Sequence, residues 1–510
     1  MRASEQPGRL HKLKLLDSSR ISVATQRALL ASFAAQLLVI LPIALAGRLY
    51  MDDLMRAADG ERAWSAAGRP LADLLYWLAN LGDPAVNVFP LYQVISAALV
   101  ALAAVLLARL LGVRQPALVA VATFPLGAQP YFLQNYSYAF DALTMSAGLL
   151  SAVAAAYWIC SQGGGRPIIF GSLALFAALT LYQPALTAYM LIAVTVPLLN
   201  QAEDRNRQLI SAVAVGGIAV LIYHYAVPIS NSYHANKLVL LQWSSFVPSI
   251  VHNLEEYWHL LMAHWQGSFV GWNIALIFFL SIILSAVPIA NRKNSSKKIQ
   301  FETIYSPVAL VFCVGLSYGA LLLMEKPIYV PRVFIGVGVA ITLMNLVIVR
   351  QVSILRCKWI RGFQWILVIP VYSLAYAFLN VSFAYGNASA AQKDFDLGFY
   401  TRLIHDLGVL DPHQEADTIG FIGAGPKSPT LLNSEKKFPI LGSLVKSHVN
   451  NNFYWGSYQL RHYGIDLKQA VVAKAMREQI TQGELKPAID RRDYEIFLLD
   501  HAMVVNFAVR

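Results

Sequence analysis

Apolar runs of about twenty residues recur along this chain, each parted from the next by a short polar stretch, and that alternation admits very few folds. A run of that length, coiled as a helix, matches the hydrocarbon thickness of a bilayer. Hydrocarbon offers no water to free backbone groups, so such runs must be helices packed into a bundle. They lie near residues 28–47, 90–112, 116–133, 141–161, 168–183, 184–200, 208–229, 269–290, 306–323, 329–350 and 363–382, which predicts eleven spans. Within 168–200, Pro184 is either a kink in one long segment or the turn between two short ones. Composition agrees: 57% hydrophobic and 14% charged is not the balance of a soluble globular domain. The formal charge of +11 fits a lipid surface or a nucleic acid, and the place of the charges decides. They sit in loops between apolar runs, so the bilayer is the expected partner and nucleic acid is not. The expected fold class is an all-α polytopic membrane protein with a small C-terminal α/β domain.

Loop charge orients the bundle. The leader 1–27 carries Arg9, Lys12, Lys14, Arg20 and Arg27, which places the N-terminus in the cytoplasm. Alternating from there, the inside loops hold Arg109 and Arg114, then Arg166, then Arg205 and Arg207, then Arg292, Lys293, Lys297 and Lys298, then Arg350, Arg356, Lys358 and Arg361. Outside segments contrast: 134–140 is uncharged, 230–268 sets Lys237 against Glu255 and Glu256, and 324–328 pairs Glu325 with Lys326. The first apolar run has no small-residue cleavage site after it and reads as a retained helix, not a signal peptide. An odd number of spans puts the C-terminus on the far, periplasmic side.

Several features carry no chemistry. Cys160, Cys313 and Cys357 lack CxxC spacing, so no zinc site or disulfide framework is indicated. The segment 231–268 holds Tyr233, His234, Trp243, His252, Tyr257, Trp258, His259, His264 and Trp265; it reads as amphipathic helices at the interface, without a metal-binding pattern such as HExxH. From Gly386 to Arg510 the composition is that of a water-soluble domain. There 395–410 and 467–480 read as helices, and 417–423, 494–500 and 503–509 as strands. The GAGPKSP run lacks the GKS/T ending of a phosphate loop and is read as followed by proline and not by a helix.

The acids concentrate elsewhere. The loop 48–89 packs Asp52, Asp53, Arg56, Asp59, Glu61, Arg62, Arg69 and Asp73 just beyond the first span, at the bilayer surface. A carboxylate there can cap a helix, bind a cation or take a proton from a sugar hydroxyl. Arginines beside it can hold a phosphate. Three further far-side clusters join it. QNYSYAFDALTM brings Asp141 with an aromatic wall of Tyr136, Tyr138 and Phe140, LYQPAL brings Tyr182 and Gln183, and KPIYVPRVFIG brings Lys326, Tyr329 and Arg332. Asp141 at the start of a span is equally suited to cap it.

Taken in order, the DD-containing loop, GRPLADLLYWL, QNYSYAFDALTM and LYQPAL resemble the bacterial glucosyltransferases of the glucosyl transferase II type, which decorate O-antigen. The resemblance covers roughly residues 28–380. It implies a GT-C-like core, a periplasmic active site, an undecaprenyl-phosphate-linked sugar as donor and a lipopolysaccharide O-antigen or related glycan as acceptor. It further implies that Asp52 or Asp53 is the catalytic base, with Arg56, Arg69 and Asp141 lining the site; Tyr138, Tyr182, Gln183 and Arg332 are the remaining substrate-binding candidates. Because arginine can balance a lipid monophosphate, no metal or other cofactor is expected. The rival classes are a lipid-linked sugar flippase, which should show internal repeats and midplane charge, and a polysaccharide ligase or polymerase, which should depend on a large late loop.

Overall fold

The computed structural model describes residues 22–507 except 162–164, 201–203, 230–239, 241, 287–295, 355–362, 414, 451–453 and 500. Arg9, Lys12, Lys14, Arg20, Tyr233, His234, Lys237, Arg292, Lys293, Arg356, Cys357, Lys358 and Arg361 therefore lie outside the described residues. Among the described residues seven helical stretches are long and apolar enough to cross a membrane: Val23–Ala46, Leu91–Leu110, Ala142–Ser161, Gln183–Asn200, Arg205–Ala226, Ile335–Ile354 and Gln364–Leu410. Four shorter apolar helices accompany them, at Pro116–Ala128, Gly165–Leu181, Phe269–Ser285 and Tyr305–Gly315.

The first helix starts where Ser22 Oγ accepts the Thr25 amide and stops at Gly47, whose φ of 53° is the left-handed conformation that ends helices. The expected run 116–133 is not one span. Pro125 and Pro130 interrupt it into the helices Pro116–Thr123, Pro125–Ala128 and Phe132–Ser137, because proline cannot donate the backbone bond that would continue each turn. Side chains of neighbouring spans bond the backbone around the first break: Gln36 Nε2 donates to the Phe124 carbonyl at 3.3 Å and Asn345 Nδ2 to that of Ala122 at 3.3 Å. Pro184 proves to be a turn, with a short 3₁₀ segment Gln183–Ala185 parting Gly165–Leu181 from Leu186–Asn200.

The last span does not end at the membrane. Ile369–Leu410 is one helix of 42 residues, roughly 60 Å at 1.5 Å per residue, so the boundary expected at Gly386 falls inside it. Gly386 serves packing instead: a Cβ there would come within 2.5 Å of Pro42 in the first helix. The far part of the long helix turns Phe399, Tyr400, Leu403 and Leu407, spaced at helical intervals, onto a five-stranded sheet. The strands are β1 Thr418–Ile422, β2 Lys468–Gln469, β3 Ile489–Asp490, β4 Glu495–Leu499 and β5 Ala502–Asn506, in the order β2-β1-β5-β4-β3. β1 runs parallel to β2 and β5, while the other neighbours are antiparallel. Two expectations fail here. Residues 467–480 are not one helix, since pairing with β1 draws Lys468 and Gln469 into the sheet and the helix begins at Lys474. A helix, Pro429–Lys437, does follow GAGPKSP, with Ser428 as its cap and Pro429 at the first position, where a missing amide costs nothing.

Candidate functional site

Asp52 and Asp53 stand at the start of the short helix Asp53–Asp59, about 100° apart around its axis, so neighbours in sequence face different surroundings. Asp53 is fully buried and accepts three backbone amides, from Tyr50 at 3.1 Å, Ala139 at 2.8 Å and Phe140 at 3.3 Å. These bonds clamp the first loop to the second. Burial pushes its carboxyl up to about 8, against the pull of the Ala139 amide. Asp52 is only half-buried, and its Oδ1 accepts Trp455 Nε1 at 2.8 Å and the Tyr454 hydroxyl at 3.4 Å. Neither acid makes the side-chain capping bond to the helix that follows.

Asp141 is buried as well. Its carboxylate accepts Arg56 Nη1 at 2.5 Å and Trp64 Nε1 at 2.5 Å, and the Arg56 guanidinium lies 4.4 Å from the centre of the Trp64 ring. The carboxylate is thus directed at the first loop instead of capping Ala142–Ser161. An arginine, an acid and an indole close on one another; both oxygens of the acid are engaged, while the buried Arg56 Nε has no hydrogen-bond partner among the described residues.

The other two clusters meet at Arg332. Arg69 Nε donates to Gln183 Oε1 at 2.7 Å, and its guanidinium lies 5.1 Å from the centre of the Tyr182 ring. Tyr182 Oη donates to the Arg332 carbonyl at 2.8 Å, Asn135 Nδ2 to the same carbonyl at 3.2 Å, and the Arg332 amide to Gln134 Oε1 at 2.7 Å. The QNYS segment is therefore the clamp that aims Arg332. Its guanidinium sits over the Tyr138 ring and donates to the Tyr138 hydroxyl. Burial lowers the affinity of Arg332 for its proton; Asp52 opposes that effect while Arg69 and Arg56 add to it. Among the described residues neither Arg69 nor Arg332 forms an ion pair with a carboxylate. Hydrogen bonds and ring contacts thus join Arg69, Gln183, Tyr182, Arg332 and Tyr138. Asp52, Asp53, Arg56 and Asp141 are linked to this network by charge, Arg332 feeling Asp52 and Arg56, and Asp53 feeling Arg56 and Asp141.

The expected aromatic wall is not open to a sugar. Tyr136 and Phe140 are fully buried, Tyr136 donating to Gln36 Oε1 and Phe140 stacking on Tyr76, so both are packing residues. His252 and His259 are exposed, while His264 is buried between Tyr131 and Ser443 and is held near 4 by desolvation, hence neutral. No group of three or more metal-ligating side chains comes together among the described residues.

Sequence reasoning missed what the C-terminal unit contributes. Besides Trp455 and Tyr454 on Asp52, Tyr458 and Arg461 hold Asp59 at 2.6 and 2.5 Å, and His462 meets the Leu54 carbonyl at 3.0 Å. Lys446 comes near enough to Arg332 for the two charges to repel, and burial with that repulsion lowers its proton affinity. Two aromatics followed by a cationic turn are common in soluble domains, so only their position over the first loop reveals the role.

With the site laid out, relatives can be compared. No solved structure matches the chain. A protein of Salmonella phage P22, described as an uncharacterised 55.3 kDa protein in the gtrB 5′ region, is 24% identical over 420 residues, covering 80% of this chain and 84% of its own. The profile of the family Glucosyl transferase GtrII matches residues 41–343, from the end of the first helix through the Arg332 turn. That match spans more than half of the sequence and takes in all nine residues of the network, and the chain therefore belongs to the GtrII glucosyl transferase family.

Proposed function

We propose that this protein moves glucose from an undecaprenyl-phosphate carrier to a lipopolysaccharide O-antigen or related surface glycan, with inversion, at the periplasmic face of the bacterial inner membrane. The N-terminus then lies in the cytoplasm and the C-terminal unit in the periplasm. One observation carries the reading: two guanidinium groups without carboxylate partners, Arg69 and Arg332, lie within range of each other's charge, and Arg332 is also within range of a half-buried acid, Asp52. A lipid phosphate would neutralise them, and they would stabilise the charge that grows on its oxygen as the sugar leaves.

In the reaction, Asp52 takes the proton of the acceptor hydroxyl while that oxygen bonds to the anomeric carbon from the side opposite the phosphate. The bond from the anomeric carbon to the phosphate oxygen breaks, and its electron pair leaves with the polyprenyl phosphate, held by the two arginines. Asp53 is unsuited to the proton transfer, because it is sealed from solvent and engaged by three amides. The arginines supply the positive charge, so transfer needs no metal. The test is transfer from synthetic polyprenyl-phosphate glucose by the purified protein in excess chelator. Turnover that collapses in chelator and returns with magnesium or manganese refutes the metal-free mechanism, and unchanged turnover in Asp52→Asn refutes the choice of base.

A further inference from the structure

At the end of the bundle opposite this network, the ends of Leu91–Leu110, Leu186–Asn200 and Ile335–Ile354 surround a cavity of about 510 Å³ together with the turn 111–115. Three arginines line it, Arg109, Arg114 and Arg350, and among the described residues no acidic residue does. The arginines are positioned by neighbours that are not charged. Arg350 Nη1 donates to Asn200 Oδ1 at 2.8 Å, Asn200 Nδ2 donates to the Leu110 carbonyl at 2.9 Å, and Arg109 Nη2 donates to Thr25 Oγ1 at 2.8 Å. Among the described residues none of the three enters an ion pair.

Arg350 is half-buried while Arg109 and Arg114 are exposed, so the hollow sets one partly desolvated cation beside two accessible ones. An anion in the hollow would be met by all three charges. The rest of the lining selects which anion: Leu110, Leu111, Val113, Leu118 and Ile354 make the walls apolar, and the cavity opens where spans end, at headgroup depth. A small soluble anion would leave those walls wet, whereas a lipid phosphate fills the charged floor with its headgroup and the walls with the start of its chains.

We propose that this cavity binds the phosphate headgroup of an anionic membrane lipid from the leaflet on that side, a site separate from the sugar-transfer network. The full chain is purified in a neutral detergent, and binding of phosphatidylglycerol, phosphatidylcholine and inorganic phosphate is followed by native mass spectrometry and by thermal unfolding. Saturable binding of phosphatidylglycerol is expected, with no matching effect of the other two probes. The pair of substitutions Arg114→Gln and Arg350→Gln weakens it by about tenfold or more, as loss of charge-assisted bonds demands. Arg207→Gln, an exposed arginine near the same end but outside the cavity, leaves it unchanged. Arg350→Lys keeps the charge and most of the binding, which guards against a variant that merely misfolds. Equal affinity in every variant overturns the proposal. So does equal stabilisation by phosphatidylcholine, or displacement of the lipid by millimolar inorganic phosphate, which assigns the cavity to a free anion. Sugar transfer enters none of these readouts, so the outcome is independent of the proposed reaction.

Discussion

Asp52 with Arg69 and Arg332, and Asp53 with Arg56 and Asp141, use the same residue types within one network and do opposite things. In the inner group both acids are engaged from within the chain: Asp53 by three amides, Asp141 by Arg56 and Trp64. In the outer group the acid is half-buried, and the two guanidinium groups reach only neutral partners. A closed set of charges holds loops together, while an open one is available to a ligand. Two aspartates in succession are thus divided between a sealed and an open setting by the turn of a short helix.

The sharpest break of this contrast is Asp52→Asn. Turnover should fall by about 10² to 10⁴, the usual worth of a general base, with the melting temperature unchanged. Lost stability with normal turnover per folded molecule would move Asp52 into the inner group. Asp141→Ala should show the reverse pattern. It strands the buried Arg56 charge and should cost about 3–5 kcal/mol in denaturant or thermal unfolding, as removal of one partner of a buried pair does. Arg332→Gln is expected to lower kcat by about 10² while Arg332→Lys recovers part of it, because lysine restores charge but not the planar fork. Loss confined to KM would make Arg332 a binding residue that does not favour the transition state.

Smaller effects refine the boundary between the groups. Trp455→Phe keeps the packing but removes the donor on Asp52, so kcat should drop by about tenfold with KM and the melting temperature unchanged. A loss of rate that follows a loss of stability would make Trp455 structural only. For Asp53 the sign runs the other way from an ordinary salt-bridged acid. Its folded carboxyl lies near 8 against about 4 unfolded, so the folded state retains a proton that the unfolded state has lost. Its contribution to stability is complete below pH 4 and declines as pH rises towards 8. Asp53→Asn, less stable throughout, should lose that slope in unfolding curves measured from pH 5 to 8.

The span pattern was legible because twenty apolar residues in succession are a local property that packing rarely reverses. Its errors came where distant residues intervened. Prolines at 125 and 130 broke a run whose composition reads as continuous, and Gln36 and Asn345 from other spans bond the backbone beside the first break. The polar clusters at span ends were legible too, since polar residues there stand out against an apolar background. Their internal roles were not. Tyr136 and Phe140 have the composition of a sugar platform and turn out to be core, because exposure depends on what packs above them.

Residue order alone determined that this chain makes an apolar helical bundle, that its polar groups gather at span ends, and that a small α/β unit follows. Run length, charge placement and strand alternation are written in neighbouring residues. Tertiary structure alone decided that Asp53 is sealed and Asp52 open, that Asn135 and Gln134 aim Arg332, and that Tyr454, Trp455 and Lys446 stand over a loop some four hundred positions earlier in the chain. Burial and hydrogen-bond partners are properties of surfaces brought together from far apart, and no periodicity within one segment encodes which surface arrives.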